Sequence, residues 1–354
     1  MEALLVTHLP DVRWLSGFTG SNAALAVTAR QAVLFTDGRY TAQARQETRG
    51  VRVVIARHSA LKEACALLGD RVKHAAFDPA HTSVADLAMM RYALSPKLRR
   101  GFFRPLRSPI LSDLRMVKDA AELAAMEQAA KLGCLLFEEI VPAMSSGLTE
   151  IGLAAELEYR ARSLGAEGMS FETIVASGAR SALPHGRATA ALLPRNGFVT
   201  LDFGVILKGY CSDMTRTVHM GRASREERAA YDAVLQAQQA AVDAVKPGAR
   251  CGEVDEAARS VLRRAGLARH FTHSTGHGVG LEIHESPRVA ARQETKLQPG
   301  MAITIEPGVY FPGRFGIRIE DMVAVTATGR RVLTPVTKDW IEIHSGEGRA
   351  RAKR

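Results

Sequence analysis

Five side chains in the second half of this 354-residue chain follow the order Asp, Asp, His, Glu, Glu: Asp202, Asp213, His277, Glu306 and Glu320. Four carboxylates and one imidazole carry enough charge and enough donor atoms to bridge two divalent cations. Such pairs sit about 3.5–4 Å apart and activate a shared water for hydrolysis. A single Asp or Glu near a strand end is ordinarily a solvated turn residue or a helix cap. These acids differ because they repeat. Thr200-Leu201-Asp202-Phe203-Gly204-Val205 and Thr304-Ile305-Glu306-Pro307-Gly308-Val309 place an acid after a β-branched and an apolar residue, with Gly-Val following. Each is succeeded by a second acid, Asp213 in the first case and Glu320 in the second. Side chains alternate faces along a strand, so Thr200 and Asp202 share one face, as do Thr304 and Glu306. The flanking runs are apolar, and burying several carboxylates there without cations would be strongly unfavourable.

The imidazole lies in a segment rich in glycine and histidine. His273, His277 and His284, three of the chain's 11 histidines, stand among Gly276, Gly278 and Gly280. Glycine admits close backbone approach, so a ring can be aimed into a site from a tight turn. One ligand and two groups for substrate contact is the division this spacing suggests.

With these motifs in place the chain resembles the creatinase/aminopeptidase superfamily of metallopeptidases, on the branch of Xaa-Pro aminopeptidases and prolidases. The family's ligand order is filled at Asp202, Asp213, His277, Glu306 and Glu320. Ser181-Ala182-Leu183-Pro184-His185-Gly186 is similar to a further histidine motif of that branch, and His273, His284 and Arg318 match its other site residues. The resemblance implies two divalent ions, Mn²⁺ first, with Co²⁺, Zn²⁺ and Fe²⁺ compatible with hard oxygens and one nitrogen. It implies Glu306 as general base, and His284 or His185 as partner of the developing oxyanion. His185, His273, His284 and Arg318 are expected to contact a proline-containing peptide, with His284 and Arg318 aiding proton transfer. Cleavage before a penultimate proline by an aminopeptidase is the leading expectation. The alternative is an Xaa-Pro dipeptidase (prolidase). A catalytically inactive binding module comes third, since it predicts lost ligands and all five are present. Trp14-Leu15-Ser16-Gly17-Phe18-Thr19-Gly20-Ser21 and Leu34-Phe35-Thr36-Asp37-Gly38-Arg39-Tyr40 resemble the start of Xaa-Pro aminopeptidases, and methionine aminopeptidases generally lack this region. Creatinase itself lacks the ligand set. A homodimer is also implied.

The elements that must position these groups fall into two domains. Residues 1–110 alternate strands (23–27, 32–36, 51–55, 75–77) with helices (40–47, 60–68, 84–94), the pattern of an α/β domain. Arg104-Pro105-Leu106-Arg107-Ser108-Pro109 breaks that pattern. Residues 111–345 form the catalytic domain. There Asp119-x-x-Glu122 and Ser224-x-x-Glu227 are capping boxes opening long helices, and Ala-rich helices at 151–164 and 253–265 precede the two acid-bearing strands. The resemblance makes this an α+β pita-bread domain with an internal pseudo-twofold duplication. Residues 346–354, with four basic residues and one acid, are expected to be a disordered tail. The net charge of +10 comes without a nucleic-acid motif, so no nucleic-acid partner is expected. Four cysteines lack CxxC spacing and disulfide density. With no leader or spanning run apparent, the expected setting is cytoplasmic, away from membranes.

Overall fold

The computed structural model describes residues 2–344, and the basic segment 346–354 lies outside the described residues. The chain divides into two units, Met1–Arg115 and Met116–Arg354. Among the described residues no helix is long and apolar enough to cross a membrane.

The first unit is built on a mixed six-stranded sheet. Its strand order is Arg52–Ile55, Ala32–Thr36, Ala23–Thr28, Ala3–Val6, Ala75–Phe77, Phe103–Pro105. Four of these are the strands expected from short apolar runs. The other two carried weaker signals. Ala3–Val6 is a short apolar run with no alternation, because it is buried along its whole length. Phe103–Pro105 ends in proline, which cannot donate to a ladder and is tolerated here because the strand is at the sheet edge. The break at Pro105 is therefore the end of an edge strand, and the helix Ile110–Met116 follows it.

The second unit repeats one plan. Its first half runs through helices Ala120–Ile140 and Glu150–Ser163 to four strands, Gly197–Phe203, Val205–Leu207, Tyr210–Cys211 and Met214–Met220. The second half runs through helices Arg225–Ala244 and Cys251–Arg264 to Ala302–Ile305, Gly308–Phe311, Phe315–Arg318 and Asp321–Val325. Both long helices begin where the sequence places their capping boxes: Asp119 with Glu122, and Ser224 with Glu227, each satisfying two otherwise orphaned N–H groups. In each half the outer strands pair antiparallel. The acids stand at or near the breaks between strands. Asp202 is the last residue but one of the first long strand, Gly197–Phe203, and Asp213 precedes Met214. Glu306 follows Ile305, and Glu320 separates Arg318 from Asp321.

Strand alternation decides what faces inward. Val199, Leu201 and Phe203 pack beneath the first helix pair, and Ile303 and Ile305 beneath the second. Burying each of these side chains contributes about 1.5–3 kcal/mol. Thr200, Asp202 and Thr304 are thereby turned to the other face. The halves are tied together there: Thr217 Oγ1 donates to the Arg318 carbonyl (2.8 Å), and Glu320 N–H donates to the Thr215 carbonyl (3.1 Å).

Close backbone approach accounts for one glycine beside the acids. A Cβ on Gly204 would lie 1.7 Å from the Ser212 carbonyl oxygen, so the chain cannot pass between Asp202 and Asp213 with any side chain there. Gly204→Ala is expected to destabilise the fold by about 3 kcal/mol, the upper range for overpacking. Gly329→Ala, with nothing within 4 Å of its Cβ, should stay within about 0.5 kcal/mol of wild type. Denaturant melts of the two variants check this, and equal stabilities would contradict the packing argument.

Candidate metal centre

Strand ends and breaks supply the four carboxylates. His277 comes from the short strand Gly276–Gly278, whose register shifts at His277/Gly278, rather than from the tight turn its glycines suggest. Asp213, His277 and Glu320 present ligand atoms all within 4.8 Å of one another. His277 Nε2 lies 3.7 Å from Asp213 Oδ2 and 3.5 Å from Glu306 Oε1. Asp202 is anchored beside them by Arg318, whose Nη2 donates to Asp202 Oδ2 at 2.5 Å.

The hydrogen-bond directions show whether cations fit. His277 Nδ1 is 3.0 Å from the Gly278 carbonyl, which can only accept, so Nδ1 carries the proton. Nε2 then turns a bare lone pair toward two carboxylate oxygens. Burial keeps the ring from taking a second proton, pushing its pKa down to about 4. Lone pair facing lone pair is repulsive unless a cation lies between, and a carbonyl-oriented imidazole is the usual state of a metal ligand. Asp202 tells the same story: its Oδ1 is buried with no hydrogen-bond partner, a costly condition for a carboxylate. The donor set of four carboxylates and one imidazole therefore fits divalent cations.

Electrostatics agree. Burial, then the charges of neighbouring carboxylates, raise Asp213 and Glu320 well above the ordinary range. Burial pushes Glu306 up to about 8 against the opposing pull of Arg318. Arg318 is a buried cationic side chain that the cluster holds against the carboxylates. Its Nε donates to Thr215 Oγ1 (3.1 Å), and that hydroxyl donates to Glu320 Oε2 (2.7 Å). Its Nη1 donates to Tyr310 Oη (2.7 Å) and to the Pro184 carbonyl (3.0 Å).

The remaining histidines are placed differently from one another. His273 Nδ1 is bonded to the Ser274 carbonyl (2.8 Å) and Nε2 to Tyr310 Oη (2.9 Å), so both nitrogens are engaged by the protein. Burial holds its pKa near 4, leaving Nε2 to accept from the tyrosine. His284 is exposed, with its ring edge-on to His277 at 4.4 Å between centroids. The segment behind it is pinned by Lys118 Nζ, 3.0 Å from Glu285 Oε2. His185 is exposed, on the segment whose Pro184 carbonyl Arg318 holds, and its charge lowers the pKa of both His273 and His284. Tyr310 and Thr215 escape a reading of motifs. Thr215 and Thr217 could have been suspected from their alternation in Met214-Thr215-Arg216-Thr217, two residues beyond an acid. Tyr310 gives no such signal.

A model of metallopeptidase family M24 matches residues 124–327, and one of the creatinase/prolidase N-terminal domain matches residues 1–117. An Xaa-Pro dipeptidase of Bacillus anthracis superposes with a TM-score of 0.92 at 36% identity, covering 97% of this chain and 95% of that one. An X-Pro aminopeptidase of Thermotoga maritima superposes at 0.89 with 34% identity, covering 97% and 98%. An Xaa-Pro dipeptidase of Pyrococcus furiosus is 42% identical over 232 residues, 66% of this chain and 67% of that protein.

The raised carboxyls predict a pH signature for protein stripped with a chelator. A carboxyl raised in the folded state stabilises the fold below the ordinary carboxylate range and loses that contribution as pH climbs to its folded value. The depressed His273 and His277 act in the opposite sense, but only below their ordinary 6.5. Between pH 6.5 and about 8 the carboxyls act alone. The melting temperature of chelated protein is expected to fall across that window, and saturating divalent cation should restore it. A flat or rising profile in the chelated protein would count against the buried carboxylate cluster.

Proposed function

This chain belongs to metallopeptidase family M24 and is a metal-dependent hydrolase, and we propose that it is an Xaa-Pro dipeptidase, a prolidase. Its fold is that of the family: a creatinase-type N-terminal domain and a pita-bread catalytic domain. The observation that carries the proposal is the end-to-end likeness to an Xaa-Pro dipeptidase, supported by a second relative of the same description. That order reverses the expectation from sequence, which put the aminopeptidase first on N-terminal motifs. Those motifs occur in a domain that dipeptidases of this family share, so they do not separate the two. The aminopeptidase remains the second reading, favoured by the Thermotoga maritima structure. The inactive binding module is set aside, because the donor set is complete and the family is one of peptidases.

In this reading Asp202, Asp213, His277, Glu306 and Glu320 hold two divalent cations, Mn²⁺ by preference. When bound, such ions supply Lewis-acid activation of a water and of the scissile carbonyl. The protein's own groups do the rest. Glu306 takes the proton of the attacking water as general base. His284, with exposed His185 on the facing segment, donates to the carbonyl oxygen as negative charge gathers there. A proline nitrogen carries no hydrogen in the peptide, so it must receive a proton as the C–N bond breaks. Glu306 can return the proton it took. Arg318 holds Asp202 in place and, through Tyr310, fixes His273, which makes Arg318 and His273 positioning rather than reacting groups.

The test is hydrolysis by Mn²⁺-loaded protein of an Xaa-Pro dipeptide, an Xaa-Pro-Xaa tripeptide and a Met-Ala-Xaa tripeptide. Cleavage of the dipeptide with little of either tripeptide is expected. Comparable turnover of the proline tripeptide would convert the assignment to an aminopeptidase, and turnover of the methionine peptide alone would reject proline selectivity. Glu306→Gln should lower kcat by about 10²-fold or more, the usual worth of a general base.

A further inference from the structure

Glu150 is a carboxylate with no solvent exposure, remote in sequence from every donor of the metal centre. It sits in the first turn of the helix Glu150–Ser163, capped by Thr149. Five donors converge on it. Oε1 accepts from Ser177 N–H (2.8 Å) and Ser177 Oγ (2.9 Å), while Oε2 accepts from Arg180 Nε (3.0 Å), Thr189 N–H (3.1 Å) and Thr189 Oγ1 (2.7 Å). All five belong to one stretch, residues 177–189, and His185 lies within it. The same stretch is braced internally, Arg180 Nη2 donating to the Arg187 carbonyl at 2.6 Å. Its opposite side is held from the metal centre by Arg318 on the Pro184 carbonyl, and by Gly316 N–H on Ser181 Oγ (2.8 Å).

A helix does not need such a residue for its own stability, since Thr149 already caps it. Nor does burying a carboxylate favour folding by itself, because desolvation consumes most of what its partners return. What the arrangement achieves is a fixed path for the segment that leaves the strand Ile174–Ser177 through the short helical turn Gly178–Ala182, using charge-assisted bonds that are short and directional. We infer that Glu150 is a positioning residue for His185: from the far side of the segment it sets where that imidazole stands relative to Asp202 and His284. The inference rests on the reading that His185 meets the substrate.

Glutamine cannot substitute, although it has the same shape. Its amide NH₂ would face donors where Glu150 offers only acceptors. For Glu150→Gln, kcat/KM on the dipeptide is expected to fall about 30-fold, the factor for a lost hydrogen bond to a charged group. Mn²⁺ affinity, read by calorimetric titration, should stay at its wild-type value. The loss should not add to that of His185→Ala, so the double variant should match His185→Ala alone. Backbone amides of residues 177–189 should exchange hydrogen faster in Glu150→Gln than in wild type. Thr189→Val, which removes one of the five bonds, should give a smaller change in the same direction and covers the case in which Glu150→Gln fails to fold. Additive losses, weakened Mn²⁺ binding, or unchanged amide exchange would each overturn the inference. An inactive wild-type protein would instead sink the substrate reading, while the exchange comparison would still judge the anchoring.

Discussion

Mutual repulsion among buried carboxylates is the constraint on which this molecule turns. Asp202, Asp213, Glu306 and Glu320 are crowded where water cannot screen them, and no arrangement of neutral side chains could offset that. Arg318 answers part of the charge and the cations answer the rest. Much of the surrounding polar structure then follows from keeping Arg318 in one place. Its guanidinium is shared among Asp202, Tyr310, Thr215 and the Pro184 carbonyl, a fork geometry that a lysine could not reproduce.

The duplicated architecture solves a matching problem in geometry. A strand pair buries one face against helices and frees the other, but a regular ladder would point its free face at nothing in particular. Interrupting each pair with a short hairpin turns an acid out at either side of the break. Two such pairs joined through Thr217 and Glu320 backbone bonds place four acids around one volume. The helices contribute packing and anchoring hydrogen bonds such as those of Glu150, and none of the five donors lies on a helix.

The fold was legible where local chemistry settles it. Capping boxes at Asp119 and Ser224 start their helices because they satisfy local N–H groups, and the short apolar runs at 32–36 and 75–77 form the strands expected of them. Ala3–Val6 was not legible, since complete burial removes the alternation that marks a strand. Within the site, the five donors stood out by residue type and by their repetition across the two halves. Tyr310 and Glu150 did not. Their partners lie across the fold, 8 residues away for Tyr310 and Arg318 but 27 to 39 for Glu150 and its segment, and a lone tyrosine or glutamate carries no mark of such a role. His273 shows the converse: it has the spacing of a substrate contact, while its two nitrogens are spent on Ser274 and Tyr310.

Arg216 carries a consequence for how the chain matures. It is buried within the strand Met214–Met220, and its guanidinium donates to the carbonyls of Glu320, Thr334, Val336 and Thr337 as well as to Asp321. Every one of those acceptors is made more than a hundred residues after Arg216 itself. A ribosome-bound chain therefore presents Asp202, Asp213 and Arg216 long before their partners exist, and its first half cannot close over them. The centre must be assembled late and at once, when the last strands arrive, rather than layer by layer as synthesis proceeds.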